Sequence, residues 1–307
     1  MDERQKTELL RIAGRQIGFD FPMSQHTTFR VGGNAEAVYK ASDPEGLSRV
    51  VSFLVNEGIP YLVAGRGSNL LVKDGGIRGL VILLAGAFAD IQYEGSDYSD
   101  ILAGAGLSIV DLLIWCREEG ISGLEFLAGI PGTVGGAVAM NAGAFGKEIG
   151  PRVREVRLVS QSGQLTARDW SQLRFSYRDL DVEAGVVITN VLFRLDRDTT
   201  KTVSARIAAC LKRRKETQPL EYPSAGSIFK NPLNEYAGRL IEQAGLKGKR
   251  IGGAMISNKH ANFIVNKGGA TATDILTLIN LAREEVKRKA GVQLELEIQV
   301  VGGAAKS

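Results

Sequence analysis

Apolar positions along this chain alternate between two periods. Leu47, Val50, Val51, Leu54 and Val55 recur at the spacing of one helical face, behind the start signal Asp43-Pro44 and ahead of Gly58. Residues 35–41 and 61–64 alternate as strands on either side, so a β-α-β unit delivers the chain into Gly65-Arg66-Gly67-Ser68-Asn69, after which Leu70-Leu71-Val72 resumes a strand. Elsewhere the pattern predicts a helix over 3–14, strands at 80–84, 88–93 and 100–103, and a helix from the cap Ser108 to Gly120 with Leu112, Leu113 and Cys116 on its apolar face. Residues 153–160, 164–167 and 186–195 read as antiparallel strands, with Gln161-Ser162-Gly163 as a turn. A helix from Thr199 or Thr200 to about Thr217 stops before Pro219 and places a domain boundary near Asp198. Helices over 236–244 and 273–290, a strand over 262–265 and a closing strand over 292–300 complete an α+β chain. In that last strand Val292, Leu294, Leu296, Ile298 and Val300 share one face, and Gln293, Glu295, Glu297 and Gln299 the other.

Glycine changes this picture in two places. Residues 127–146 read LAGIPGTVGGAVAMNAGAFG, with Gly129, Gly132, Gly135, Gly136, Gly143 and Gly146 crowded together and no charged residue among them. Glycines let main-chain N–H groups approach a ligand closely, and a run of such amides forms a nest for an anion such as phosphate. Thr133 is placed to cap a short helix whose first amides would face the same anion. The plain alternative is a glycine-rich turn packed in a core. The second glycine-rich loop, 64–72, favours the ligand; it is not a Rossmann turn, since Gly65 to Leu70 lacks the third glycine and a strand follows where a helix should begin.

Length and composition then narrow the class. The 307 residues, 44 % apolar, suffice for two domains. The charged, amphipathic start and the lack of any apolar run near the ~18 residues of a membrane span predict a soluble cytoplasmic protein without membrane insertion. Two cysteines, Cys116 and Cys210, both in helical patterns, and two histidines, His26 and His260, predict no disulfide framework and no metal site. A net charge of +4 is compatible with nucleic acid or with an anionic small molecule. The dense run Lys212-Arg213-Arg214-Lys215 ends a helix, where cations complement the dipole, so it reads as a solvated helix end. Residues 221–232, EYPSAGSIFKNP, read as a loop too polar and turn-rich to be core.

Six motifs in order, Thr28-Phe29-Arg30-Val31-Gly32-Gly33, GRGSNLLV, GIPGTVGGAVAMNAGAFG, Tyr177-Arg178, PSAGSIFKNP and Leu294-Glu295-Leu296-Glu297-Ile298, resemble those of the UDP-N-acetylenolpyruvoylglucosamine reductases over nearly the whole chain. The resemblance implies a p-cresol-methylhydroxylase-type FAD-binding fold of two subdomains over residues 23–198, after a helical segment 1–22, and an α+β substrate-binding domain over 199–307. It implies NADPH as hydride donor, non-covalent FAD, a UDP-sugar enolpyruvate as substrate and UDP-N-acetylmuramate as product, for cell-wall synthesis. Carried over by motif, Arg178 and Glu297 would stabilise the charge that hydride addition places on the substrate carboxylate, Ser227 would donate the proton, and Tyr177, Lys230 and Asn231 would contact substrate. The cofactor contacts implied are Gly65, Arg66, Gly67, Ser68, Asn69, Leu70, Gly129, Ile130, Pro131, Gly132, Gly135, Gly136, Ala137, Asn141 and Gly143. Asp179-Leu180-Asp181 after Tyr-Arg departs from the family's serine-containing stretch, and the absence of a longer insertion before Leu195 assigns the chain to the shorter branch.

Taken without the resemblance, Arg178 is an ordinary sheet arginine, Glu297 a strand residue like Glu295, and Ser227 a turn serine. Two rival functions are weaker. A covalent-flavin oxidase needs a histidine or cysteine near the glycine-rich loops, and residues 61–72 and 127–146 hold neither. A nucleic-acid binder would use the basic run, but no aromatic residue flanks it.

Overall fold

The computed structural model describes residues 1–95 and 99–304. The chain packs as two compact units, each assembled from separated stretches: unit 1 from Met1–Phe19, Ala37–Gly65 and Gly79–Lys212, and unit 2 from Asp20–Glu36, Arg66–Arg78 and Arg213–Ser307.

Unit 1 contains helices α1 (Glu3–Ala13), α2 (Pro44–Asn56), α3 (Ile109–Glu119) and α4 (Val134–Ala139). Each starts where a side chain takes up an orphan amide: Asp2 accepts from Gln5 N, Asp43 from Gly46 N, Ser108 from Asp111 N and Thr133 from Gly136 N. α3 ends on Gly120 in the left-handed conformation, which a residue with a Cβ adopts less readily. One sheet has the order Ile17–Pro22, Asn34–Ala41, Ile77–Leu84, Tyr61–Ala64, its last pair parallel. A second, antiparallel sheet has the order Leu165–Asp169, Val153–Val159, Val187–Arg194, Asp100–Gly104, Ile91–Tyr93. Leu47, Val50, Val51 and Leu54 of the α2 stripe are fully buried against the first sheet's Tyr39, Leu80 and Ile82, whereas Val55 at its end is exposed; Leu112, Leu113 and Cys116 of α3 pack with Val156, Val191 and Phe193 of the second. Each such side chain contributes roughly 1.5–3 kcal/mol when removed from water.

Helix α5 (Thr200–Thr217) precedes the larger part of unit 2, which holds α6 (Ala237–Gln243) and α7 (Ala272–Ala290). A three-stranded antiparallel sheet, Arg250–Ile251, Ala254–Ile256 and Ile264–Asn266, lies beside α7. The strand Gln299–Val301 runs parallel to Leu70–Val72, residue 299 opposite 70. Asp74 fixes the start of α7, its carboxylate accepting from the N–H groups of Ala272 and Thr273 and from the Thr273 hydroxyl. Phe29, Leu71, Ile228, Phe229, Ile275, Leu278 and Ile298 share the core of this unit.

Several expectations are corrected. The alternation over 292–300 does not make one continuous strand: a single bridge joins Leu296 to Phe229, a separate strand runs over Gln299–Val301, and the chain bends between them at Glu297 and Ile298. Residues 88–93 divide into a 3-10 turn, Gly86–Ala89, and a short strand, Ile91–Tyr93. The strand expected over 262–265 begins at Ile264, because Asn262 spends its groups on another segment. The hairpin of 250–256 was missed, since two- and three-residue strands are too short to show a period. The basic run is not wholly solvated either: Arg214 is 7 % exposed.

The Tyr39 ring is fully buried, and among the described residues its hydroxyl has no hydrogen-bond partner. Burial pushes its pKa up to about 12. Tyr39→Phe removes an unsatisfied buried group while keeping the ring, so it should raise stability by about 1 kcal/mol, read as a higher urea midpoint at unchanged slope. A lower midpoint would mean that the hydroxyl has a partner in solution.

Candidate active site

In unit 1 the glycine-rich stretch is a ribbon of main chain between buried anchors. Ala128, Thr133, Val134, Gly135 and Ala137 are buried, whereas Gly129, Pro131 and Gly136 are exposed, with Ile130 and Gly132 between these extremes. The ribbon is held by backbone: Ile109 N–H donates to the Gly132 carbonyl, Val134 N–H to Leu107 and Gly135 N–H to Ala105. Close packing explains several of its glycines. A Cβ at Gly135 would lie 2.7 Å from the Cβ of Ala105, and one at Gly65 2.6 Å from the Thr133 hydroxyl that caps α4. At Gly135, packing alone accounts for the missing side chain, since a Cβ would strike Ala105. Gly136 differs, since its Cβ would meet only Thr133 Oγ1, at 3.6 Å.

The same unit carries Arg178. The short hairpin of Phe175–Ser176 with Asp179–Leu180 turns through Tyr177 and Arg178, so the departure at Asp179 still closes a regular turn. Arg178 has φ +60°, a conformation that costs about 1 kcal/mol or more for a residue with a Cβ. Its guanidinium donates to the Gly143 carbonyl at 3.2 Å and lies over the Tyr177 ring, 5.0 Å from its centre. A residue held off its preferred backbone and pinned at its head is not an ordinary sheet arginine. Asn141 is 1 % exposed, and its carboxamide is engaged within the unit: Nδ2 donates to Glu148 and to the Ser176 carbonyl, and Oδ1 accepts from Gly150 N–H.

In unit 2, Arg66 is exposed, Gly67 and Leu70 are buried, and Ser68 and Asn69 are half-buried. Gly67 has φ +64°, and a Cβ there would lie 2.5 Å from the His26 carbonyl oxygen. Beside it, Thr28 donates its N–H to the Gly67 carbonyl at 3.4 Å, and its buried hydroxyl finds no partner among the described residues. In unit 1 the exposed main chain of a small-residue ribbon with its capped helix start, and in unit 2 the Arg66-Gly67-Ser68 loop, are each by themselves a donor set suited to an anionic, phosphate-bearing group. Among the described residues no group of three His, Cys, Asp or Glu could hold a metal ion.

The loop carrying Ser227 does enter the core, against the expectation from its polar, turn-rich composition. Ile228 and Phe229 are almost wholly buried, and Ser227 and Lys230 are half-buried. Ile228 accepts from Glu297 N–H at 2.8 Å, and Lys230 N–H donates to the Glu295 carbonyl at 2.9 Å. This antiparallel register sets Glu297 opposite the neighbour of Ser227. Glu297 sits half-buried at the bend, and Glu295 is exposed, so the two carboxylates are not equivalent. Asn69 contributes directly, its Nδ2 donating to the Glu297 carbonyl at 3.1 Å. Asn231 is exposed and accepts from Ala237 N–H at the start of α6.

Sequence reasoning missed two residues of this region. Asn262, 3 % exposed, hydrogen-bonds both main-chain groups of Phe229, and His260 Nδ1 accepts from Asn262 N–H at 3.3 Å. Burial, aided by the charge of Lys247, holds the His260 pKa below its ordinary 6.5, while Glu242 pulls the other way.

These features define a flavoprotein of the FAD-binding α+β class. An FAD binding domain model matches residues 35–167, and a model described as the C-terminal domain of UDP-N-acetylenolpyruvoylglucosamine reductase matches residues 218–301. A UDP-N-acetylenolpyruvoylglucosamine reductase of Geobacter metallireducens is 44 % identical over 92 % of this chain and 93 % of its own. One of Alkalilimnicola ehrlichii is 45 % identical over 92 % of this chain and 94 % of its own. The solved structure of the reductase from Thermus caldophilus superposes with a TM-score of 0.79 at 39 % identity, covering 91 % of this chain and 97 % of that one. The chain belongs to the UDP-N-acetylenolpyruvoylglucosamine reductase family, and the expected fold class holds.

Gly136→Val should leave the melting temperature of the flavin-free protein within a degree or two and yet abolish flavin retention, measured by visible absorbance. Gly135→Val should lower that melting temperature through overpacking worth about 1–3 kcal/mol. If Gly136→Val keeps its flavin, the outer face of the ribbon is not where the cofactor lies.

His260 gives a pH prediction whose sign follows from its depressed pKa. The unfolded chain takes up the proton first, so the contribution is complete above about pH 6.5 and is lost as the pH falls through the folded-state pKa. His260→Gln should therefore narrow the gap between urea midpoints at pH 7.5 and pH 5.5. An unchanged gap would show that His260 titrates normally.

Proposed function

We infer that this chain reduces UDP-N-acetylglucosamine enolpyruvate to UDP-N-acetylmuramate, a step of peptidoglycan precursor synthesis, with NADPH as the hydride donor and FAD as a non-covalent carrier. Membership of the reductase family supports the reaction, and the observation that carries the residue assignment is the main-chain pairing that sets Glu297 beside Ser227. When bound, the flavin relays a hydride from NADPH to the terminal enolpyruvyl carbon. Negative charge then builds on the substrate carboxylate, and stabilising it needs a cation and a hydrogen-bonding acid.

Arg178, always charged and preset by its backbone and by Gly143, supplies the cation, and Glu297 the hydrogen bond. Ser227 gives its hydroxyl proton to the carbon next to the carboxylate, which completes reduction of the double bond. A serine is a weak acid, so the step requires a strongly basic carbon, as an enediolate provides, and relief of the alkoxide by Lys230 or water. Tyr177, Lys230 and Asn231 bind substrate. Residues 23–198 serve as the flavin domain and residues 199–307 as the substrate domain. The enzyme works in the cytoplasm on small molecules, without nucleic acid; no described helix is long and apolar enough to cross a membrane.

The two half-reactions, followed separately by stopped flow, test this. In Ser227→Ala, flavin reduction by NADPH should stay near the parent rate, and reoxidation by the enolpyruvyl substrate should fall ~10²–10⁴-fold. Glu297→Gln should slow the same half-reaction, and Glu295→Gln should leave it nearly intact. Equal losses in both half-reactions of Ser227→Ala would reduce Ser227 to a structural residue.

A further inference from the structure

The segment that carries Ser227 is the middle member of a three-stranded arrangement in which one neighbour is a side chain. On one side, Ile228 and Lys230 pair with Glu297 and Glu295 through main chain. On the other, Ile228 N–H donates to the Asn262 carbonyl at 2.8 Å, Phe229 N–H to Asn262 Oδ1 at 3.0 Å, and Asn262 Nδ2 to the Phe229 carbonyl at 2.8 Å. A carboxamide has the donor and acceptor of a peptide group, so Asn262 reads both main-chain groups of Phe229 as a neighbouring strand would. Aspartate lacks the donor, and glutamine is one methylene too long for the same span.

On the other side of Ser227 the hold is looser: Ala225 is buried in the core and the Pro223 carbonyl accepts from Asn266 N–H at 2.9 Å, but between them and Ser227 stands Gly226 at φ +75°, with no atom of the described residues within 4 Å of where its Cβ would be. Asn262 is the side chain that fixes the residues directly after Ser227. We propose that Asn262 is the positioning residue of the proton donor, holding Ser227 in register with Glu297. This rests on the proton-donor reading of Ser227. Asn262 is itself 3 % exposed and acts through the loop, not on substrate. His260 closes the arrangement from behind, since only a neutral imidazole can accept the Asn262 N–H at Nδ1.

The deciding variant is Asn262→Asp in the full-length, flavin-loaded enzyme. At pH 8 its carboxylate still accepts from Phe229 N–H but faces the Phe229 carbonyl with no proton to give. Flavin reduction by NADPH should remain within about twofold of the parent, and reoxidation by the enolpyruvyl substrate should fall roughly 10- to 100-fold, part of the usual worth of a positioned acid. As the pH falls and the carboxyl takes a proton, the missing donor returns, and reoxidation should recover relative to the parent enzyme. Added to Ser227→Ala, Asn262→Asp should cause no further loss of reoxidation, because both changes remove the same proton transfer. A readout independent of turnover is amide exchange of the flavin-free protein, which should quicken at residues 228–230. If Asn262→Asp does not fold, Asn262→Ser serves for the double mutant and the exchange measurement.

Asn262→Asp that reoxidises at the parent rate while Ser227→Ala is slow overturns the inference and leaves the function standing. Ser227→Ala that reoxidises normally overturns the proton-donor reading and this inference with it. Equal losses in the two half-reactions of Asn262→Asp would make Asn262 a support of the fold or of the flavin, and would also overturn it.

Discussion

Unit 2 depends on main-chain hydrogen bonds made by residues that belong to no long strand. Ile228, Phe229 and Lys230 are gripped by Glu295 and Glu297 on one edge and by Asn262 on the other, and Ile228 and Phe229 are sunk in the core. Polar residues thereby become precise without being buried: Ser227 and Glu297 stay half-exposed while the backbone of Glu297 and of the residues directly after Ser227 is fixed. Buried amides left unpaired would each cost about 1–3 kcal/mol, so the pairing is enforced by the core around it.

Unit 1 reaches a similar end through glycine. The close approaches of Gly135 to Ala105 and of Gly65 to Thr133 leave no room for a Cβ, and the ribbon of 129–136 alternates between buried anchors and the exposed Gly129, Pro131 and Gly136. Asn141 belongs to the same economy. Its carboxamide ties the Ser176 carbonyl and Gly150 N–H together, two residues ahead of the strained Arg178. Asn69, Asn141 and Asn262 share one use of the carboxamide, each donating from Nδ2 to a main-chain carbonyl of a distant segment.

Much of this was legible in the sequence. The stripe of α2, the caps Asp43, Ser108 and Thr133 and the antiparallel strands of unit 1 follow from local periodicity and capping chemistry, and the structure places them within a residue or two. What stayed hidden depends on distant partners. The alternation over 292–300 is regular, but the bend at Glu297 arises where pairing passes from Phe229 to Leu70. The burial of Ile228 and Phe229 was concealed by the serines, glycine and prolines around them, and Asn262 carries no local signal, since its task lies 33 positions away. The glycine-rich stretch was read correctly as a backbone surface, but the packing of Gly135 against Ala105 stayed hidden, because a packing neighbour and a ligand impose the same lack of a side chain.

The parallel pairing of Leu70–Val72 with Gln299–Val301 also has a bearing on how the protein is made. A strand synthesised early must wait for a partner that leaves the ribosome only after residue 301 has been added, and until then its buried Leu70, Leu71 and Val72 have no permanent neighbour. Contacts of such sequence separation are slow to close. On the growing polypeptide, unit 2 is therefore the later of the two to settle. The GRGSN loop, which leads directly into Leu70, takes its final form only when that late pairing closes.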